Sequence, residues 1–348
     1  VLVVDCLHTE YAPPAFIIHP IIQAVMMSTW KGGLHYESSH AHYVLQHFDA
    51  LTTPRALHSL HLLSHLAFIG ALAHYLLYPP HFHITLGRNE QTTREAFLTV
   101  MAATSLLVPW TMHTLSYILV FLALILTLPS VPLPGSLAFT SLHIALIVHV
   151  ISLHLPDTPS IACFLRPRTN VPLATLMVQS TARIALPALL FFLPAFFFAS
   201  FLVSASLGDT SFNLFKTSIV DPSPMDSRVA FFFLFVFISA CGFSLTLMSF
   251  SVTQTCPLAS AEPWDRYTPS VGLVARKSFY RAVVRYTGYT FFPPFNLIQL
   301  VTTVPSFCLA YLGYPQIAHT KMLEIALWRL SIGILGALAG GFWLWGLT

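Results

Sequence analysis

The sequence predicts an all-α fold: a polytopic bundle of about six transmembrane helices with one further re-entrant or interfacial segment. Three observations predict it. Of 348 residues, 55% are hydrophobic and only 8% charged, against roughly 25% charged in soluble domains. No Asp, Glu, Lys or Arg occurs between Ala96 and Pro156, and Ile184–Gly208 and Val229–Ala261 are likewise uncharged. An uncharged apolar run of more than about 18 residues is long enough to cross a hydrocarbon layer of about 30 Å, and three such runs exceed what one soluble core would bury.

The elements follow in chain order. Residues 1–57 form a His-rich region outside the membrane. Transmembrane helices 1 to 5 occupy residues 58–250, with spans at 58–77, 99–128, 135–155, 183–207 and 229–250. The second run would be about 45 Å long as one helix, and is read as a single tilted span bent at Pro109. In the fourth, Pro187 and Pro194 lie two turns apart and mark one kinked face. Residues 251–290 form a basic amphipathic loop. Residues 291–314 carry Pro293, Pro294, Asn296, Gln299 and Pro305 within an apolar stretch, so they are read as re-entrant or interfacial. The final span, 327–347, carries Gly336 and Gly340 at a small-xxx-small spacing that permits close helix approach. Trp328, Trp343 and Trp345 stand near its ends.

Charge then suggests an orientation. Arg88, Arg94, Arg166, Arg168, Arg183, Arg266, Arg276, Lys277, Arg281 and Arg285 fall on one side of these six spans; Lys31, Arg55, Lys216 and Arg228 fall on the other. The positive-inside rule makes the first side cytoplasmic and the N-terminal region non-cytoplasmic. On the 276–286 segment, Arg276, Lys277, Arg281 and Arg285 form a candidate membrane-surface face for anionic lipid headgroups. The net charge of +3 argues against a nucleic-acid partner. The five cysteines lie far apart without a CxxC pair, which points to neither a disulfide framework nor a zinc–thiolate site.

Seventeen histidines, twelve of them before residue 84, are the compositional feature with chemistry in it. Imidazole is a ligand for zinc, iron and copper and titrates near neutral pH. Before the first span stand His35, His40, His42 and His47. His58, His61 and His65 recur at i, i+3 and i+7, on one helical face, and are candidate metal ligands. His113, His143 and His149 lie within spans and are candidate catalytic bases or ligands. His65, His113 and His143 would meet if the first three spans pack together. The alternative is structural, with neutral rings bonded to neighbouring hydroxyls such as Ser64, Thr111, Thr114 or Ser141. No HH pair occurs, which argues against the His boxes of diiron desaturases.

The run Pro-Trp-Asp-Arg-Tyr at 263–267, SFYRAV at 278–283 and the Trp-rich last span resemble a group of fungal multi-pass membrane proteins, a resemblance that implies a grouping but no activity. The apolar helices with basic loops also look loosely like fungal wax-synthase-type acyltransferases, without the Arg-rich Trp-His stretch expected there. The reading taken is a multi-pass transporter-like or scaffolding protein of the plasma membrane or endomembranes; the alternatives are a lipid-modifying acyltransferase or oxidase using intramembrane histidine and, second, a haem or metal carrier. No cofactor or oligomeric state is specified.

Overall fold

A computed structural model describes residues 12–33, 48, 51–80, 93–107, 112–128, 130–155, 159–164, 166–185, 187, 224–255, 262–300 and 318–346. Every element among them is helical. In chain order these are α1 (Pro14–Ile18), α2 (Pro20–Gly32), α3 (Pro54–Leu77), α4 (Thr93–Ser105), α5 (Met112–Leu126), α6 (Leu137–His154), α7 (Pro167–Ser180), α8 (Met225–Thr255), α9 (Pro269–Thr287), α10 (Ala318–Trp328) and α11 (Ile334–Gly346). Among the described residues, four stretches are long and apolar enough to cross a membrane: Pro54–Leu77, Leu137–His154, Met225–Met248 and Met322–Gly341. The last runs through α10, a π turn at Arg329–Gly333 and α11. His35, His40, His42, His47, Pro109, Pro194 and residues 301–314 lie outside the described residues, as does most of the expected 183–207 span.

Local chemistry explains where the spanning helices start. Thr53 caps α3 by accepting from the Ala56 amide, with Pro54 at the first helical position. Ser136 caps α6 in the same way through Phe139. The turn before it needs Gly135, whose φ of 84° is in the left-handed region.

Within the run 99–128 the structure describes two helices rather than one. Helix α4 stops at Ser105 and α5 restarts at Met112, with Pro109, which has no amide proton to donate, in the interval. At 13 and 15 residues, the two helices measure about 20 and 22 Å, each short of the roughly 30 Å hydrocarbon layer. They pack on each other. The Arg94 guanidinium, at the start of α4, donates to the Tyr78 carbonyl (2.9 Å) and lies over the Tyr75 ring. The Tyr75 hydroxyl in turn donates to the carbonyl of Pro132, just after α5 (2.7 Å). The pair therefore leaves from and returns to the C-terminal end of α3 as a helical hairpin.

This changes the relation between the chain's two ends. Ser160, after α6, donates its amide to His58 Nε2 near the start of α3 (3.3 Å). The N-terminal helices and the basic loop, expected on opposite sides, share one core at that same end. Tyr280 donates to the Ile17 carbonyl (3.1 Å), Gln23 to Glu262 (3.2 Å), and the Trp30 ring meets Phe279 at 5.5 Å. The physical reason is the hairpin: because α4 and α5 leave from and return to the C-terminal end of α3, α6 runs back beside α3 and brings Ser160 to its start. A second core, including Phe68, Leu72, Leu98, Met101, Val120 and Phe139, joins α3 to α6. Gly336 and Gly340 face inward: a Cβ on Gly336 would meet Leu57 and Thr52, and one on Gly340 the Leu51 carbonyl. Phe235, Phe243 and Phe250 of α8 are 67%, 66% and 65% exposed, an apolar face suited to lipid.

Candidate metal centre

Three histidines from three helices meet where α3, α5 and α6 pack together. His65 is the twelfth of the 24 residues of α3, so it stands midway along that helix; His113 lies in the first turn of α5, and His149 on α6. One ring nitrogen of each lies within 4.8 Å of the others, and all three side chains are buried. His65 Nδ1 is 3.0 Å from His149 Nε2. The ring centroids are 5.0 Å apart for His65–His113 and for His65–His149, and 5.8 Å for His113–His149. A tetrahedral metal with bonds of 2.0–2.1 Å separates its ligand nitrogens by about 3.3 Å, against 3.0 Å between His65 Nδ1 and His149 Nε2 and up to 4.8 Å across the set.

Two serines decide which nitrogens face the centre. Ser116 Oγ donates to the carbonyl of His113 on its own helix (2.8 Å) and lies 2.6 Å from His149 Nδ1. Ser152 Oγ donates to the carbonyl of His149 on its own helix (2.7 Å) and lies 2.6 Å from His113 Nδ1. A carbonyl oxygen only accepts, so each serine's single proton is committed there. With the serine protons assigned to those carbonyls, each histidine is assigned the tautomer that carries its proton on Nδ1 and donates it to the serine. Both Nε2 atoms are left as lone pairs. Fixing a ligand's tautomer through its second nitrogen is what supporting residues do in metal sites.

Around the three stand further polar groups. The Tyr117 hydroxyl lies 3.2 Å from His65 Nδ1. His61 Nε2 lies 3.2 Å from His65 Nε2, and His61 Nδ1 lies 2.8 Å from the Tyr286 hydroxyl of α9. Phe292 stacks on His61 with centroids 4.9 Å apart, which puts the start of the 291–314 segment against this site.

The expected groupings change accordingly. His58, His61 and His65 do share a face, but do not form one ligand set. His58 is two turns from His65 and receives the Ser160 amide, and its buried Nδ1 has no hydrogen-bond partner among the described residues. His143 does not join His65 and His113. It contacts the Phe139 carbonyl (3.0 Å) and Ser227 Oγ (3.0 Å), and Ser227 donates to the Leu76 carbonyl (2.7 Å). Six residues separate His143 from His149, about 600° of helix rotation, so the two rings leave α6 about 120° apart. Ser64 and Ser141 bond backbone carbonyls of their own helices instead. The sequence reading missed Ser116, Ser152, Tyr117 and Tyr286. One signal was available for the serines: HTLS at 113–116 and HVIS at 149–152 are matched H-x-x-S segments.

Arg276 departs from its expected place on the membrane-surface face. Its side chain is 0% exposed, gripped by Asp265 through two bonds of 2.7 Å and by Glu262 at 2.6 Å. Burial pulls the guanidinium down, but the two carboxylates outweigh it and hold the group above its ordinary value. A Cβ at position 272 would run into the Asp265 carboxylate, so glycine is required beneath the clamp. Arg281 faces outward, while Lys277 and Arg285 are half-buried.

Comparison with protein-family models, with curated proteins and with solved structures finds no match. What the chain itself defines is an all-helical protein with four helices compatible with membrane crossing.

Proposed function

We propose that this chain is a multi-pass integral membrane protein that holds a transition-metal ion at His65, His113 and His149, midway along its spans. The observation that carries this is the meeting of three buried histidines from three helices, one ring nitrogen of each within 4.8 Å of the others, with Ser116 and Ser152 engaging the Nδ1 atoms of His149 and His113. Polar side chains at membrane depth mark functional sites by default, and three imidazoles suit zinc, copper, iron or nickel. Haem fits poorly. Two axial histidines must stand about 4 Å apart across the iron, twice a metal–nitrogen bond of 2.0–2.1 Å, whereas His65 and His149 approach to 3.0 Å.

Metal analysis and an absorption spectrum on detergent-purified full-length protein test the reading. About one equivalent of zinc, copper, iron or nickel is expected, lost in His149→Ala and His113→Ala variants that remain folded. Metal-free wild-type protein after growth and purification with added metal would sink it.

The second reading is a lipid-modifying metalloenzyme. Three protein ligands with a fourth position open to water or substrate are the arrangement of catalytic zinc, and the Tyr117 hydroxyl stands beside the centre. Turnover of a lipid ester or amide, abolished with the metal, would separate it from a carrier.

The same proposal includes a sidedness. Lys31, Arg55, Arg166, Arg168, Arg266, Arg276, Lys277, Arg281 and Arg285 lie on segments gathered at the N-terminal end of α3, and Arg94 and Arg228 lie at the opposite end. The positive-inside rule then makes the N-terminal helices and the basic helix α9 cytoplasmic together. Lys277, Arg281 and Arg285 remain available to attract anionic headgroups.

A further inference from the structure

The hydrogen-bonded row extends past the three ligands to a fourth segment of the chain. His113 and His149 turn Nε2 toward the centre, but His65 turns Nδ1, the atom 3.0 Å from His149 Nε2. Nothing in α3 itself dictates that choice. Which imidazole nitrogen binds a metal is set by the hydrogen bond the other one makes. If His65 ligates through Nδ1, its proton sits on Nε2 and requires an acceptor in a fully buried place. His61 Nε2, at 3.2 Å, is placed to accept it. A neutral His61 then carries its proton on Nδ1, 2.8 Å from the Tyr286 oxygen, which accepts. The His61 ring has no freedom to turn away, since Phe292 stacks on it at an interplanar angle of 26° and the Tyr286 ring packs edge-on at 6.0 Å.

We infer that His61 and Tyr286 are positioning residues that present the Nδ1 atom of His65 to the metal, so that α9 is a working part of the centre. The inference rests on the metal reading and deepens it. His61 is thereby removed from the ligand set and given a separate task, and Tyr286, on a helix that contributes no ligand, acquires one.

The test measures zinc affinity by chelator competition, and the d–d spectrum after cobalt substitution, on the full-length protein in detergent. His61→Leu removes the acceptor at similar volume, His61→Gln keeps an amide oxygen within reach of His65 Nε2, and Tyr286→Phe removes one oxygen. Loss of such supporting bonds costs about tenfold to a hundredfold in metal affinity. That loss, with an altered cobalt spectrum, is expected for His61→Leu and Tyr286→Phe, and His61→Gln should recover most of it. Equal weakening by Leu and Gln, or wild-type affinity and spectrum in both His61→Leu and Tyr286→Phe, would overturn the inference while leaving the metal reading intact. Metal-free wild-type protein would overturn both. Where His61→Leu does not fold, Tyr286→Phe decides alone, because it leaves the packing nearly unchanged.

Discussion

Ser116 and Ser152 each hold a carbonyl of their own helix and a histidine ring of the other. Removing either hydroxyl frees a buried Nδ1–H and lets the ring change tautomer. Ser116→Ala and Ser152→Ala should therefore each weaken metal binding by about tenfold to a hundredfold, measured by chelator competition, with little effect on expression or folding. Arg276 belongs to the same scale but a different task. Arg276→Ala takes the buried guanidinium away from Asp265 and Glu262, and a broken buried ion pair costs about 3 kcal/mol or more, toward the low end here because Glu262 is 44% exposed and keeps its bond from Gln23. Thermal unfolding in detergent should show the loss, and Arg276→Lys should not restore it, because an ammonium cannot form the two-pronged contact with Asp265. At this scale the sequence was half legible. The i, i+3, i+7 spacing puts His58, His61 and His65 on one face, but it cannot say that His149 rather than His143 turns toward them, since that depends on how α6 is rotated against α5. The serines were hidden because Ser in an apolar helix most often bonds its own backbone, and these do that as well.

At the scale of elements, the hairpin α4–α5 is the largest departure from expectation. An apolar run reports that its residues prefer lipid or a core; it does not report whether the chain crosses or turns back. Only Pro109 hinted at an interruption, and a proline within a membrane helix is as compatible with a bend as with a break. The tertiary contacts that bring both ends of the pair to α3, Arg94 on Tyr75 and Tyr75 on Pro132, lie far apart in sequence. The hairpin has a direct test. Tyr78→Cys and Ser130→Cys should be modified from the same side of sealed vesicles by a membrane-impermeant thiol reagent, above the labelling of the parent chain. Modification from opposite sides would restore a single crossing at 99–128. The elements that were legible, α3, α6, α8 and the final helix, are those whose length and apolarity suffice without a partner.

At the scale of the molecule, the glycine face of the last span was legible as a close-packing surface and is used within the chain, against residues 51–57. How the chain's two ends relate was not legible, because it depends on whether the 99–128 run crosses or turns back. With the hairpin in place, the basic residues of the N-terminal helices, the 160–168 segment and α9 gather at one end, while the balance of basic residues stays at ten against four, since Arg88 and Arg94 leave the majority side as Lys31 and Arg55 join it.

The crosswise serine–histidine exchange also has a consequence for how the protein is made. A ribosome delivers His65 first, His113 next and His149 137 residues before Tyr286, so His113 is made before Ser152, the group that engages its Nδ1, whereas His149 follows its partner Ser116. Until α6 arrives, His113 and Ser116 both wait for their cross-helix partners. The two H-x-x-S segments then work as an assembly check, because sliding α6 by one turn against α5 breaks both exchanges at once. A chain paused before α6 should be the form that the membrane's quality-control proteases recognise.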